Sequence, residues 1–263
     1  MSVNKKNCFM IYVLLILAFT ISGAILGQEY IQCDKEINNL KQLQQITQST
    51  ISLDVTAADI YSLESMEAPT KTILKNYEVL SARNKDMIGW LKIEGTNIDY
   101  PVMYTGDDFY LTHDFDHAIS KSGLPYIDRR CAVEPFGTNT IIYAHNMKNG
   151  TMFSVLLNFK EPDYYTNHRI ICFDTLYETQ EYEIFAAFES EVYKKGETIF
   201  KHYNFLNAES EAVFYEYVAG IRKIALYETG VSPRFGDEFI TLMTCSYHTE
   251  NGRFAVVARK MVP

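Results

Sequence analysis

The chain has 263 residues, room for one large or two small domains, and is 47% hydrophobic and 22% charged, as in an ordinary packed protein. With 13 glycines and 7 prolines it is neither collagen-like nor low-complexity, and 33 acidic against 24 basic residues leave a net charge of −9, the wrong sign for gripping nucleic acid. Cysteines at 8, 33, 131, 172 and 245 form no C-x-x-C pair and are too sparse for a disulfide scaffold, so a thiol here has a chemical or steric role.

From Cys8 to Gly27, 20 residues carry no charge, enough helix to cross about 30 Å of hydrocarbon. Lys5 and Lys6 precede this stretch, so the positive-inside rule predicts residues 1–27 as a short cytoplasmic tail and an uncleaved transmembrane signal-anchor, with the remainder outside. A cleaved signal would have a shorter apolar core and a small-x-small site; Ser22-Gly-Ala24, still followed by Ile25 and Leu26, fits that poorly. Residues 28–68 are polar, with a weak stripe at Ile37, Leu40, Leu43 and Ile46, and read as an extracellular linker or stalk. Residues 69–263 read as the folded domain. Pro69-Thr70 opens a predicted helix carrying Ile73, Leu74, Tyr77 and Leu80 and ending near Asn84.

From Ile88 the texture changes to short β-branched and aromatic runs. Trp90–Ile93 and Ile98–Met103 flank a Glu94-Gly-Thr-Asn97 turn, and residues 138–144, 169–173, 181–188, 239–244 and 253–260 supply further strands, so the domain is mainly β. One stretch differs. Phe214, Tyr217, Val218 and Ile221 recur with helical spacing behind a possible Asn207 cap, with Glu209 and Glu211 in the first turn; this predicts a helix inserted between late strands. A second helix is expected over 151–159.

The run Phe239-Ile-Thr-Leu-Met-Thr-Cys245 alternates with period two and ends at a thiol. Ser246 to Gly252 reads as a loop closing on an Asn-Gly turn, so antiparallel pairing with the next strand sets Cys245 opposite Arg253. The strand over 138–144 delivers His145 at its end, within reach of the same rim. Thiol, imidazole and guanidinium suit acyl transfer: the thiolate attacks a carbonyl, the imidazole moves protons, and a fixed cation stabilises the oxyanion. Each type alone has a plainer reading, since a lone cysteine is most often inert core and a histidine at a strand end is usually a satisfied polar residue. His248, three residues after the thiol, is a rival base.

The segments Tyr143-Ala-His145-Asn-Met with Met152-Phe153, and Thr241-Leu-Met-Thr-Cys245 with Gly252-Arg253-Phe-Ala-Val-Val-Ala-Arg-Lys260, resemble the sortases. The upstream run from Ile88 to Val102, with Tyr110-Leu111 and Asp114-Phe115, is similar to class B sortases, and the likeness extends over about residues 70–262. It implies a sortase-type eight-stranded β-barrel with N-terminal helices and an inserted helix before the penultimate strand. It also implies Cys245 as nucleophile, His145 as general acid/base and Arg253 as oxyanion or substrate stabiliser. Leu111, Thr244 and the loop around 189–205 would line the groove for a sorting peptide. Some class B members carry Ser two residues before the cysteine and acidic residues just after it, where this chain has Met243, Ser246 and Tyr247. The missing acidic group favours a Cys–His pair with Arg over a triad.

The resemblance thus implies a cysteine transpeptidase that cleaves surface proteins after the Thr of a C-terminal sorting motif and passes them to a peptidoglycan-precursor amine at a Gram-positive type cell surface. The implied partners are those proteins, that amine and the membrane; no cofactor, metal or nucleic acid is expected. A secreted cysteine peptidase hydrolysing the same kind of peptide, and a non-catalytic membrane-tethered binding module, are the alternatives.

Overall fold

Apolar runs between Met87 and Lys260 close into an eight-stranded barrel in the computed structural model, which describes residues 5–54, 71–194 and 196–261. The strands are β1 (Met87–Lys92), β2 (Asp99–Met103), β3 (Tyr126–Ile127), β4 (Asn139–Tyr143), β5 (Ile170–Thr175), β6 (Glu181–Glu191), β7 (Phe239–Cys245) and β8 (Gly252–Lys260). Around the ring the order is β1-β2-β3-β4-β7-β8-β6-β5, with β5 pairing back onto β1. Neighbours are antiparallel except β2 with β3 and β4 with β7. The parallel β4–β7 pair needs a long crossover, and the chain between those strands holds β5, β6 and most of the remaining helices.

Both faces of β7 are buried until Cys245, which is why its sequence is apolar or small at every position. Ile240 and Leu242 point to one side, Phe239, Thr241, Met243 and Cys245 to the other. On that second side α4 (Glu211–Ile224) packs Phe214, Tyr217, Val218 and Ile221 against Phe185, Val231 and Phe239. Phe214 stacks on Phe239 with ring centroids 5.5 Å apart. The helix therefore covers the Phe239 end of this face. The predicted inserted helix is present, but its cap is Ser210, whose Oγ accepts from Val213 N at 3.3 Å. Asn207 instead uses its side-chain carbonyl to accept from Thr138 N at 3.3 Å, leaving the nearer serine to end the free N–H groups.

Two other helices differ from expectation. The segment predicted to start at Pro69 becomes α2 (Lys75–Arg83); Pro69-Thr70 lies outside the described residues, and Leu74 N is held by the Leu176 carbonyl at 2.7 Å. Residues 153–160, where the sequence predicts a helix over 151–159, form a 3₁₀ segment that begins just after Met152, a residue at φ +55°. A short α3 (Pro162–Asn167) follows it. α2 seats on β1 through Tyr77, which stacks on Trp90 at 6.1 Å and donates to Asp174 at 2.6 Å.

At the amino terminus α1 (Lys5–Asp54) is a continuous helix of 50 residues, long and apolar enough to cross a bilayer. The polar segment predicted as a stalk begins inside this helix, and its residues 55–68 lie outside the described residues. The chain divides into two compact units, Met1–Leu43 and Gln44–Pro263. Within the second, Gln44 Nε2 donates to the Asp99 carbonyl at 2.8 Å.

Candidate active site

Strand register brings the three predicted residues together. Cys245 is the direct cross-strand partner of Arg253 at the end of the β7–β8 pair. Tyr143 pairs with Met243 in the parallel β4–β7 ladder, and Ala144 N continues it by donating to the Met243 carbonyl at 3.3 Å. His145 and Cys245 each lie two residues beyond this last paired position, and both border the same cleft. Asn146 locks this junction: its Nδ2 donates to the Cys245 carbonyl at 3.0 Å. The tight β7–β8 turn depends on Asn251 at φ +57°, a left-handed position that asparagine tolerates.

Cys245, His145 and Arg253 line one cleft of ≈ 330 Å³, and Leu111 and Thr244 border it too. Tyr126, Tyr143 and Met243 form more of its lining, while Val192 and Tyr203 from the β6–β7 connection bound one side. The predicted loop around 189–205 is therefore present at the cleft. Thr244 is almost fully buried and its Oγ1 donates to the Ala144 carbonyl at 2.8 Å, so its hydroxyl is already spent on holding β4 to β7. Tyr126 and Tyr143 stack obliquely at 5.8 Å; burial pushes the Tyr126 phenol up to about 12, so it meets a ligand as a neutral hydroxyl.

The cleft sits on the outer face of the barrel, at the end of β7 beyond the reach of α4. Cys245 is partly exposed there. Cys131, by contrast, is 4% exposed, and burial raises its thiol to about 11, which keeps it protonated and inert. Arg253 donates to the carbonyls of Gly252 at 3.0 Å and Asn251 at 3.4 Å. Among the described residues no carboxylate pairs with it, so its charge remains available to a ligand.

His145 does have an orienting partner, but not an acid. Its Nε2 lies 2.9 Å from the Leu111 carbonyl, which can only accept, so Nε2 carries a proton in either charge state and Nδ1 is the nitrogen left to exchange one. That carbonyl is placed by a close backbone approach. Gly123, at φ +55°, runs so near the Tyr110 and Leu111 carbonyls that any Cβ would collide with them. Leu111 thus contributes a backbone atom to the site as well as bordering the cleft. His248 is not at the cleft: its Nδ1 meets Ser246 Oγ at 2.9 Å and lies 3.8 Å from Glu189. Among the described residues no group of three or more His, Cys, Asp or Glu side chains could hold a metal ion.

A closed barrel in this strand order, with a thiol, an imidazole and a guanidinium at one rim, matches one family. The sortase-domain family model covers residues 91–261. The sortase B of Listeria monocytogenes is 33% identical over 180 residues, 67% of this chain and 70% of that protein. The sortase B of Staphylococcus aureus is 27% identical over 97% of both chains. Among solved structures, a Staphylococcus aureus sortase B–substrate complex has TM-score 0.72 at 25% identity, covering 88% of this chain and 98% of that one. A sortase B complexed with triglycine has TM-score 0.72 at 26% identity, covering 88% of this chain and 99% of that one. The chain belongs to the sortase family, and within it to class B. It is accordingly a sortase-type transpeptidase.

Proposed function

We propose that the chain joins surface proteins to a cell-wall amine by two acyl transfers through a thioester on Cys245. In the first, the Cys245 thiolate attacks the carbonyl carbon after the Thr of a sorting motif; the C–N bond breaks, and the His145 imidazolium gives its proton to the departing amine. In the second, an incoming amine attacks the thioester carbonyl, the C–S bond breaks, and His145 takes the amine's proton. Enzyme and protonation state are then restored. Arg253, whose guanidinium borders the same cleft, stabilises the oxyanion in both steps.

The single observation that carries this reading is the convergence of Cys245, His145 and Arg253 on one open cleft. The relatives support the rest: one solved sortase B holds a substrate and another holds triglycine, a peptide with a free amine. The apolar helix α1, with Lys5 and Lys6 before its apolar run, anchors the enzyme in the membrane with the barrel on the outer side. Confinement of enzyme, protein substrate and lipid-linked acceptor to one surface raises their effective concentration.

The test is mass spectrometry of the full chain in detergent, incubated with a panel of Thr-containing peptides, with and without triglycine. An acyl adduct on the Cys245 peptide, turnover to a triglycine product, and loss of both in Cys245→Ala are expected. Cleavage in which triglycine never enters product would make the enzyme a hydrolase, and no adduct with any peptide would leave a binding module.

A further inference from the structure

Arg130 follows β3, outside the cleft, yet its guanidinium ties together two of the cleft's borders. Nε donates to Asp128 Oδ1 at 3.0 Å and one terminal nitrogen to Oδ2 at 2.6 Å, a two-pronged pair. That terminal nitrogen also donates to the Tyr203 carbonyl at 3.0 Å, and the other reaches Asn204 Oδ1 at 3.4 Å. Asp128, 7% exposed, accepts a further bond from the Tyr143 hydroxyl at 3.1 Å. Burial alone would raise its carboxyl, but Arg130 and Tyr143 hold it below the usual carboxylate range. Tyr143 and Tyr203 line the cleft; Asp128 and Arg130 do not.

The segment they hold has little regular structure of its own. Between Val192 and Ser210 the only helical turn is the 3₁₀ piece His202–Asn204 among the described residues. Such a connection lies at the low-stability end of a fold unless side chains pin it. A guanidinium fork fixes position and angle together, which an ammonium cannot.

We propose that Asp128 and Arg130 are positioning residues that latch the β6–β7 connection onto β4, setting Tyr203 as a wall and the Tyr143 hydroxyl in the floor of the peptide cleft. This rests on the function proposed above for that cleft. The latch governs how tightly peptide is held, while bond making and breaking occur at the unaltered rim of Cys245, His145 and Arg253.

The test uses the full chain in detergent, with the best-cleaved peptide of the panel made internally quenched, and hydrogen exchange by mass spectrometry on the same samples. Arg130→Gln should raise KM roughly tenfold, the loss of charge-assisted bonds, with kcat within about twofold. Its exchange should quicken over 196–206 and stay unchanged in β7 and β8. Arg130→Lys, keeping the charge without the fork, should fall between parent and Arg130→Gln in both readouts. Tyr143→Phe should raise KM without quickening exchange. A collapse of kcat at constant KM, exchange rising equally across β4, β7 and β8, or no change in either readout would refute the latch. If the parent cleaves no peptide at all, the proposed function falls, while exchange over 196–206 still decides the latch.

Discussion

Replacing His202 by Gln should remove much of the acid sensitivity of the barrel. His202 is 1% exposed, crossed edge-on by the Phe188 and Tyr203 rings at 4.8 and 5.2 Å; its Nδ1 meets Ser190 Oγ at 3.4 Å and its Nε2 has no partner. Burial lowers its pKa from 6.5 to about 4. The unfolded chain therefore binds a proton that the folded chain refuses between those two values, so stability is full above pH 6.5 and is lost as pH falls toward 4. At about 1.4 kcal/mol per pKa unit the whole window is worth about 3 kcal/mol, of which about 2 kcal/mol is gone by pH 5. Trp90 is the single tryptophan of the chain and is 4% exposed in the barrel, so its fluorescence during urea unfolding reads this domain. The parent should lose about 2 kcal/mol more than His202→Gln between pH 7.5 and pH 5. Parallel losses in the two proteins would refute the reasoning, because the slope would then belong to other groups.

Three further outcomes are expected. Gly123→Ala should cut kcat/KM by roughly a hundredfold, since a Cβ there displaces the Leu111 carbonyl that orients His145; a variant with parental kinetics would show that this bond is dispensable. Asn146→Ala, which frees the Cys245 carbonyl, should lower kcat several-fold and cost about 1 kcal/mol in urea unfolding, and an unchanged kcat would count against the strand-end lock. Phe214→Ala should cost about 3–5 kcal/mol by emptying the α4–β7 contact, against about 1 kcal/mol for Ser210→Ala; equal losses would contradict the packing described.

Much of this site is legible in the sequence because it depends on strand ends. Period-two runs mark β7 and β8, and an Asn-Gly turn between them dictates that Cys245 face Arg253. The pairing of β4 beside β7 is less visible: parallel neighbours lie far apart in the chain and leave no turn signature, so the strand-end position of His145 puts it within reach of the rim without fixing it there, and the family resemblance supplies its role. β3 escapes notice because two residues after a proline make no alternating pattern. The partner of His145 is hidden for a deeper reason. It is a main-chain carbonyl, and any residue type at 111 would supply one; the sole clue is a glycine twelve positions later. Asn207 and Ser210 are both good cap residues, and only the demand of Thr138 N for an acceptor separates them.

The side-by-side exit of β4 and β7 has a mechanical consequence. Cys245 and His145 lie at or just past the ends of adjacent, parallel, hydrogen-bonded rails, so a twist or tilt of the barrel carries thiol and imidazole together. The β6–β7 connection that bounds the same cleft is a separate stretch of chain, outside this ladder. Sequence drift in that stretch can therefore reshape the wall of the cleft while thiol and imidazole stay in gauge.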